Sequence, residues 1–330
     1  MSRGRAACLL SLSIALTGCG GSGASGDPSP PSSVTPSASA AAKPTPRASS
    51  TPRPTPTLPA GVAQIVDLGG ADTWGIATAG DTIWVETGDF TIHQLDGATG
   101  ELIQSVQGWM PTVVGTTIWY QSGNALFEAD AATGETIATY VTPLPGTVVH
   151  DGTLWARSEE QHLLARVDLA SGEVTGQLTL PDGEPKWVEV WEGAVWVAID
   201  GSDVVLRVDP ATMTVTEAIP AGSRPHSMIA AFGSLWVIEH GISELLRLAP
   251  DGAIQARIAG PGINVALAVA DDALWASTPT AIVRLDPATN EITETIELGP
   301  RETYGMAFSQ GSLWVTSGMD SLGLYQIPIG

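Results

Sequence analysis

FGSLWVIE, residues 232–239, is one copy of a motif that recurs along the chain. The other copies read GDTIWVET, GTTIWYQS, DGTLWARS, EGAVWVAI, DDALWAST and QGSLWVTS. Their central tryptophans follow one another at intervals of 35, 36, 41, 40, 39 and 39 residues: Trp84, Trp119, Trp155, Trp196, Trp236, Trp275 and Trp314. Seven copies near a period of 40 residues predict a repeat architecture.

Each repeat contains four short segments with strand character and no helical periodicity. A short apolar segment, a Gly-containing turn and the Trp strand are followed by a third strand that ends in a turn such as Arg284-Leu-Asp-Pro-Ala-Thr-Asn-Glu. A β-branched strand such as Glu291–Leu298 follows this turn. In these turns we expect the Asp and Thr or Ser side chains to form capping bonds, with positive φ at Gly100, Gly134 and Gly172. The pattern predicts an all-β, seven-bladed propeller of four-stranded antiparallel blades over residues 60–330.

The ends of the repeat array predict how the ring closes. The seventh copy stops after its third strand, whereas IVDLG, residues 65–69, precedes the first copy without a blade of its own. Leu68 aligns with Leu298 of the sixth repeat, at the same spacing from the next Trp. We therefore expect the N-terminal strand, about residues 62–68, to pair with Gln326–Ile329 and complete the last blade, which removes two open edges.

Residues 1–18 have the pattern of a secretory signal, with Arg3 and Arg5 before an apolar stretch that is short for a membrane span. The sequence LTGC that ends at Cys19 resembles the bacterial lipobox. This resemblance implies cleavage before Cys19, a lipid on its sulfur and attachment to the extracytoplasmic face of the cell membrane; ordinary secretion is the alternative. Residues 20–59 carry ten prolines and few apolar side chains, which is typical of a disordered tether between the lipidated Cys19 and the propeller.

Charge and cysteine content exclude several function classes. The first 59 residues hold five of the 14 Lys and Arg and one of the 35 Asp and Glu, so residues 60–330 carry 9 cations against 34 anions, a net of −25. Such a domain repels nucleic acid and anionic lipid, so we expect membrane contact through the lipid anchor only. After removal of Cys8 and lipidation of Cys19, no thiol remains for a nucleophile or a metal. Motifs of common hydrolases and nucleotide-binding proteins are missing from the sequence.

Over residues 61–330 the repeat resembles those of the bacterial YVTN, NHL and streptogramin-lyase-like (virginiamycin B lyase-like) propellers. The resemblance implies ligand binding at the face where the inner strands begin. Ten residues before each Trp, at that face, stand Trp74, Trp109, Pro145, Lys186, His226, Val265 and Tyr304. We predict that Trp74, Trp109, Lys186, His226 and Tyr304 form a ligand-binding rim, the alternative being that these aromatics pack the channel mouth.

The fifth repeat raises a catalytic alternative. Pro225-His226 and Trp236-x-x-Glu239 resemble elements of the streptogramin lyases, which use His and Glu with Mg²⁺ to open a lactone-linked peptide ring. If the turn centres on Gly233, His226 lies directly opposite His240, and Glu239 then points to the other face of its strand. His226, Glu239 and His240 are thus the catalytic candidates of this alternative.

From these observations we expect a monomeric, lipid-anchored, non-enzymatic binding protein without a cofactor or metal. Its partner would be a protein, a peptide or a small molecule. The Mg²⁺-dependent lyase centred on His226 is the first alternative, and a purely structural envelope component is the second. The repeating Arg166, Arg207, Arg247 and Arg284 are expected to form ion pairs between blades.

Overall fold

The computed structural model describes residues 58–69, 71–142, 144, 146–260, 262–263, 265–300, 303–318 and 323–329. The predicted signal peptide, Cys19 and the tether up to residue 57 therefore lie outside the described residues. Within the described part of the chain, strands form seven four-stranded antiparallel sheets. The innermost strands of neighbouring sheets contact one another around the whole ring, and the last contacts the first. The fold is a seven-bladed β-propeller, as predicted.

The strands are numbered β1 to β28 along the chain, and a blade takes one strand from each of four concentric positions. The innermost strands are β2 (Thr73–Ala79), β6 (Trp109–Val114), β10 (Gly146–His150), β14 (Glu184–Trp191), β18 (Pro225–Ala231), β22 (Leu267–Ala270) and β26 (Thr303–Ser309). The second strands are β3 (Thr82–Thr87), β7 (Thr117–Ser122), β11 (Thr153–Ser158), β15 (Ala194–Asp200), β19 (Ser234–Glu239), β23 (Ala273–Ser277) and β27 (Ser312–Ser317). The third strands are β4 (Thr91–Asp96), β8 (Ala125–Asp130), β12 (Leu163–Asp168), β16 (Val204–Asp209), β20 (Glu244–Leu248), β24 (Ala281–Asp286) and β28 (Leu324–Pro328). The outermost strands are β5 (Leu102–Gln107), β9 (Thr136–Val141), β13 (Val174–Thr179), β17 (Thr214–Pro220), β21 (Ile254–Ala259), β25 (Glu291–Glu297) and β1 (Gln64–Val66).

The core lies between the blades and is built around the repeated tryptophans. All seven are at most 7% exposed, because the second strand of each blade is covered by the neighbouring blades on both of its faces. Trp236, for example, packs with Leu274 and Val283 of the following blade. The described residues contain no helix that is long and apolar enough to cross a membrane.

The turns between third and fourth strands have the predicted capping. In the first blade, Asp96 Oδ1 accepts hydrogen bonds from Thr99 N (2.8 Å) and Thr99 Oγ1 (2.9 Å). Gly100 follows with a φ of 73°, and Gly134 and Gly172 have φ values of 74° and 73° in the same turn. These left-handed residues close the turn without a Cβ clash.

The N-terminal strand completes the last blade as predicted, but it pairs with Leu324–Gln326 and not with Gln326–Ile329. In the last blade β1 pairs antiparallel with β28, with Gln64 opposite Gln326 and Val66 opposite Leu324. Ala63 N adds a hydrogen bond of 2.8 Å to Gln326 O, and Val62 is buried in the core between the last two blades. The final sheet thus joins the two ends of the described chain.

The expectation of ion pairs between blades is wrong for all four repeating arginines. Arg166, Arg207 and Arg247 do reach the next blade, but they donate to main-chain carbonyl oxygens of its third-to-fourth turn. The carboxylates of those turns already accept bonds within their own turns, so the carbonyl oxygens are what face the arginines. Arg284 does form an ion pair, 2.6 Å from Asp272, but Asp272 belongs to its own blade.

Candidate ligand-binding rim at the channel face

A β-bulge at the start of the inner strands sets the geometry of the predicted rim. In six blades the register between inner and second strand shifts within the first residues of the inner strand. Trp74, Lys186, His226 and Tyr304 lie within such bulges, and Trp109 is the last paired residue before one. A bulge interrupts the alternation of side chains and re-aims the bulged residue, so these side chains leave the packed faces of their blades. Of the two remaining positions of the ring, Pro145 lies outside the described residues and Val265 is half-buried.

The first part of the rim is aromatic. Trp74 and Tyr304, on adjacent inner strands, have ring centroids 4.9 Å apart at 37°. Trp74 is exposed, and Tyr304 lies on the backbone of Gly318, where an added Cβ would come within 2.0 Å of its ring. Trp109 makes an edge contact with Phe90, with a centroid distance of 6.0 Å. The first, second and seventh blades therefore present aromatic surface at the channel face.

The second part of the rim is polar and lies on the third to fifth blades. Burial lowers the pKa of His226 to about 4, and the positive charges of His240, Lys186 and Arg157 add to this effect against the opposing charge of Asp200. His226 is therefore neutral near pH 7, with one ring nitrogen that donates and one that accepts. The rings of His226 and His240 have centroids 6.1 Å apart.

The predicted pairing of His226 with His240 is wrong in register. Pro225 is the residue opposite Glu239, and His240 N donates to Arg224 O at 3.0 Å. The bulge in β18 that contains His226 shifts the pairing and brings the two rings near each other diagonally. The structure thus brings His226 and His240 together through the bulge and not through direct cross-strand pairing.

Glu239 is fully buried and belongs to a separate ion pair with the exposed Arg257. Its Oε1 lies 2.6 Å from Arg257 Nη1, and Arg257 also donates to Pro220 O of the preceding blade. Burial raises the pKa of Glu239, and the Arg257 hydrogen bond opposes that shift. The structure therefore ties the carboxylate of the catalytic alternative to the outer strands of the blade.

Three buried polar atoms near the polar part of the rim have no hydrogen-bond partner among the described residues. They are Arg157 Nε, Glu239 Oε2 and His240 Nδ1, and the described chain contains only one other such atom. Leaving a buried polar atom unpaired costs about 1–3 kcal/mol. Such atoms are uncommon in folded proteins. Three of them lie on the third and fifth blades, so this side of the rim has polar atoms that packing of the blades does not explain.

The structure also shows positioning residues that the sequence interpretation missed, two residues after the repeated Trp. Thr316 Oγ1 donates to Trp74 O at 2.9 Å, and Met110 N, beside Trp109, donates to Glu86 Oε2 at 2.9 Å. Arg157 Nη1 donates to Pro185 O, beside Lys186, at 2.5 Å. Each polar side chain thus fixes the start of the next blade's inner strand. The signal was present as polar residues in an otherwise apolar strand.

A further missed residue is Glu189, on β14 directly opposite Trp196. Burial raises the pKa of its carboxyl to about 7, although a hydrogen bond from Trp187 partly opposes this. A Glu within the otherwise apolar run of residues 187–191 was the available signal.

The rim residues do not fit a magnesium site. No group of three or more His, Cys, Asp or Glu side chains in the described residues is arranged to hold a metal. Mg²⁺ favours oxygen ligands in octahedral geometry, whereas His226 and His240 offer ring nitrogens and Glu239 is held by Arg257.

The fold and rim define a seven-bladed propeller with a mixed aromatic and polar channel face, and solved structures share this architecture. A streptogramin B lyase superposes with a TM-score of 0.67 at 18% identity, over 81% of this chain and 97% of that chain. A catalytically inactive His-to-Ala variant of virginiamycin B lyase from Staphylococcus aureus, solved with quinupristin, gives 0.66 at 17% identity over 81% and 99%.

The β-propeller domain of Cps50 (Swd1) from Myceliophteria thermophila gives a TM-score of 0.66 at 11% identity, over 82% of this chain and 99% of that chain. These likenesses establish the fold. No protein-family model matches the sequence, and no curated protein matches it significantly.

Proposed function

We propose that the chain is a membrane-anchored extracytoplasmic lipoprotein whose propeller binds a protein, peptide or small-molecule ligand at its channel face without chemical turnover. The observation that carries the proposal is the rim itself. Bulges direct Trp74, Lys186, His226 and Tyr304 out of the blade faces at equivalent positions of the ring. Unpaired buried polar atoms lie beside the polar part of this rim.

The two parts of the rim suit a ligand with an apolar group and a hydrogen-bonding group. The apolar group would lie on Trp74 and Trp109, since flat aromatic surfaces contribute much contact area at low entropic cost. The polar group would meet neutral His226 and the ammonium of Lys186. Lys186 is held by an ion pair with exposed Glu184, which a ligand can replace at low cost because such surface pairs contribute little.

The lyase alternative is supported by two observations, the proximity of His226 to His240 and the fold shared with virginiamycin B lyase. Against it stand the ion pair that holds Glu239 and the poor fit of the rim to Mg²⁺. Quinupristin provides the direct assay. We expect its reversed-phase retention time and its tandem mass-spectrometric fragments to stay unchanged when it is incubated with the protein and Mg²⁺, because opening the lactone by elimination would alter both while leaving the total mass the same. Ring opening that disappears in His226→Ala would refute the non-enzymatic proposal.

The binding proposal is tested by selecting displayed random peptides on the full chain. We expect enriched peptides that lose at least tenfold in affinity with Trp74→Ala or Lys186→Ala, the scale of one anchor contact. His150→Ala is the matched control, because His150 is exposed at a turn on the opposite face. Peptides that bind all of these variants equally would place the binding surface elsewhere and contradict the proposal.

A further inference from the structure

Between most neighbouring blades, the turn that joins the third and fourth strands of one blade binds to the preceding blade. Gln94 Nε2 donates to Ala131 O and Ala132 O of the next blade, and Trp84 Nε1 donates to the same Ala131 O at 3.0 Å. Gln326 and Trp314 make the equivalent bonds, to Ala98 O and Gly97 O. The Trp and its third-strand neighbour thus form a pair of donors that bind carbonyl oxygens in the turn of the next blade.

Where the third-strand residue is Arg, the carbonyl that it binds belongs to a proline. Arg166 donates to Pro210 O, Arg207 to Pro250 O at 3.0 Å, and Arg247 to Pro287 O at 2.6 Å. A proline has a carbonyl oxygen but no N–H, so it places no competing donor against the guanidinium.

The sixth blade has the same donor pair, Trp275 and Arg284, directly opposite each other on β23 and β24. Here the next blade has no short turn to offer, since its third and fourth strands, β28 and β1, come from distant parts of the sequence. Trp275 Nε1 is buried without a partner among the described residues. Among the described residues, Arg284 donates to Thr293 and to the exposed Asp272, both of its own blade.

In the fourth and fifth blades the indole N–H is satisfied in a second way, by the carbonyl five residues before the Trp. Trp196 donates to Trp191 O at 3.3 Å and Trp236 to Ala231 O at 3.0 Å. Trp275 makes neither kind of bond. Its donor is therefore unpaired where at least four other blades have an acceptor.

A cavity of about 460 Å³ is lined by both residues of this donor pair. Its walls are Ala270, Asp271, Trp275, Arg284, Thr293 and Glu294 of the sixth blade, and Pro328 and Ile329 of the seventh. The carboxylates of Asp271 and Glu294 disfavour a free anion, whereas the indole N–H of Trp275 and the guanidinium N–H groups of Arg284 can donate hydrogen bonds to an acceptor. Neutral carbonyl oxygens satisfy both conditions.

We propose that this cavity is a peptide socket, which binds an X-Pro turn of a partner polypeptide through the proline carbonyl to Arg284 and a neighbouring carbonyl to Trp275. The occupant is inferred from what fills the equivalent positions of the ring. Those turns hold their own shape, since Asp209 and Asp286 each accept a bond from the N–H two residues later, at 2.7 Å. A free peptide of the same sequence carries the same capping group. This site is distinct from the rim and does not depend on the proposed function.

The test uses a fluorescein-labelled, end-capped peptide that copies residues 285–290, Leu-Asp-Pro-Ala-Thr-Asn, whose one carboxylate caps the turn itself; it is titrated with the full chain and followed by fluorescence polarisation. We expect saturable binding with a Kd of about 1 mM or lower. Arg284→Ala should weaken it about tenfold, the scale of a charged hydrogen bond. Arg284→Lys should recover part of the loss.

Asp272→Asn separates binding from a merely structural role of Arg284. It weakens a competing acceptor for the guanidinium, so peptide affinity should rise by about twofold or more. Arg207→Ala is the matched control and should leave affinity unchanged, because its position already receives Pro250 O. The melting temperature of each variant verifies folding. Absence of saturation with the wild-type chain, or equal losses in Arg207→Ala and Arg284→Ala, would overturn the proposal.

Discussion

Deleting residues 61–68 removes β1, the strand that closes the ring, and its cost follows from its contacts. Val62 is 7% exposed, and Ile65 and Val66 are half-buried in the last blade. At about 1.5–3 kcal/mol for a fully buried aliphatic side chain, these three contribute about 4 kcal/mol. The pairing with β28 and the bond from Gln64 Nε2 to Thr99 O (2.6 Å) add about 2 kcal/mol net. A loss of about 6 kcal/mol is a large part of the 5–15 kcal/mol that stabilises an ordinary domain.

For a domain of this size each kcal/mol corresponds to about 2–4 °C, so the loss of about 6 kcal/mol should lower the melting temperature by about 12–24 °C. Circular dichroism melting of the full chain and the deletion variant measures this directly. The unpaired edge of β28 should also make the variant prone to association, which size-exclusion chromatography detects. Removing residues 30–37, in the predicted tether, is the control of equal length and should leave the melting temperature unchanged. A deletion of residues 61–68 that melts with the wild type would refute the closure energetics.

Four further outcomes are expected. In the wild type, the raised folded pKa of Glu189, about 7, should make the free energy of unfolding fall by up to about 3 kcal/mol as pH rises from 4.5 to 7, because only the protonated carboxyl is favourable in the folded state. Glu189→Gln should remove this fall, which urea titrations at several pH values measure. His226→Ala should reduce the loss of stability at acid pH, because in the wild type the buried ring makes the free energy of unfolding fall as pH drops from 6.5 through the folded pKa of about 4. A variant with unchanged pH dependence would contradict the burial of that ring. Arg247→Ala should lower the free energy of unfolding by about 3 kcal/mol and Arg284→Ala by about 1 kcal/mol, because Arg247, unlike Arg284, bonds to the next blade and covers a Trp ring at 4.6 Å. Equal losses of stability would argue against the turn contact. Cys19→Ser should move the protein from the membrane fraction to the medium, and unchanged fractionation would disprove the lipid anchor.

The blades could be predicted because the strands and turns of each blade are determined by short patterns within one repeat. The Trp strand, the Gly turn and the capped turn at Asp96 are encoded within a few residues, and Trp84 is at the same place in its blade as Trp314 in the last. Closure was also predictable, since the alignment of Leu68 with Leu298 is a comparison of one repeat with another. Both inferences needed only periodicity and the rule that open edges are covered.

The fine geometry of the rim could not be predicted because it depends on the bulges. Counting from Gly233 gave His226 opposite His240, since simple alternation assumes one residue against one. The inner strand instead places two residues, His226 and Ser227, against Ile238. A bulge has no composition signature in this sequence, as the bulged pairs include Trp-Gly, His-Ser and Tyr-Gly. The repeat identifies the position ten residues before each Trp, but the direction of the side chain at that position depends on the bulge.

The repeat separates the residues that build the ring from those that face its channel. The Trp and the third-strand residue opposite it carry the contacts between blades, through indole, guanidinium and amide donors that bind turn carbonyls. The bulged position lies outside those contacts, so its side chain can differ from blade to blade, as Trp74, Lys186 and Tyr304 do. What the ring still requires there is a fixed backbone, and the polar side chains of Glu86, Thr316 and Arg157 supply it from the neighbouring blade. For this reason the rim is the part of the molecule where specificity can be set without loss of the fold.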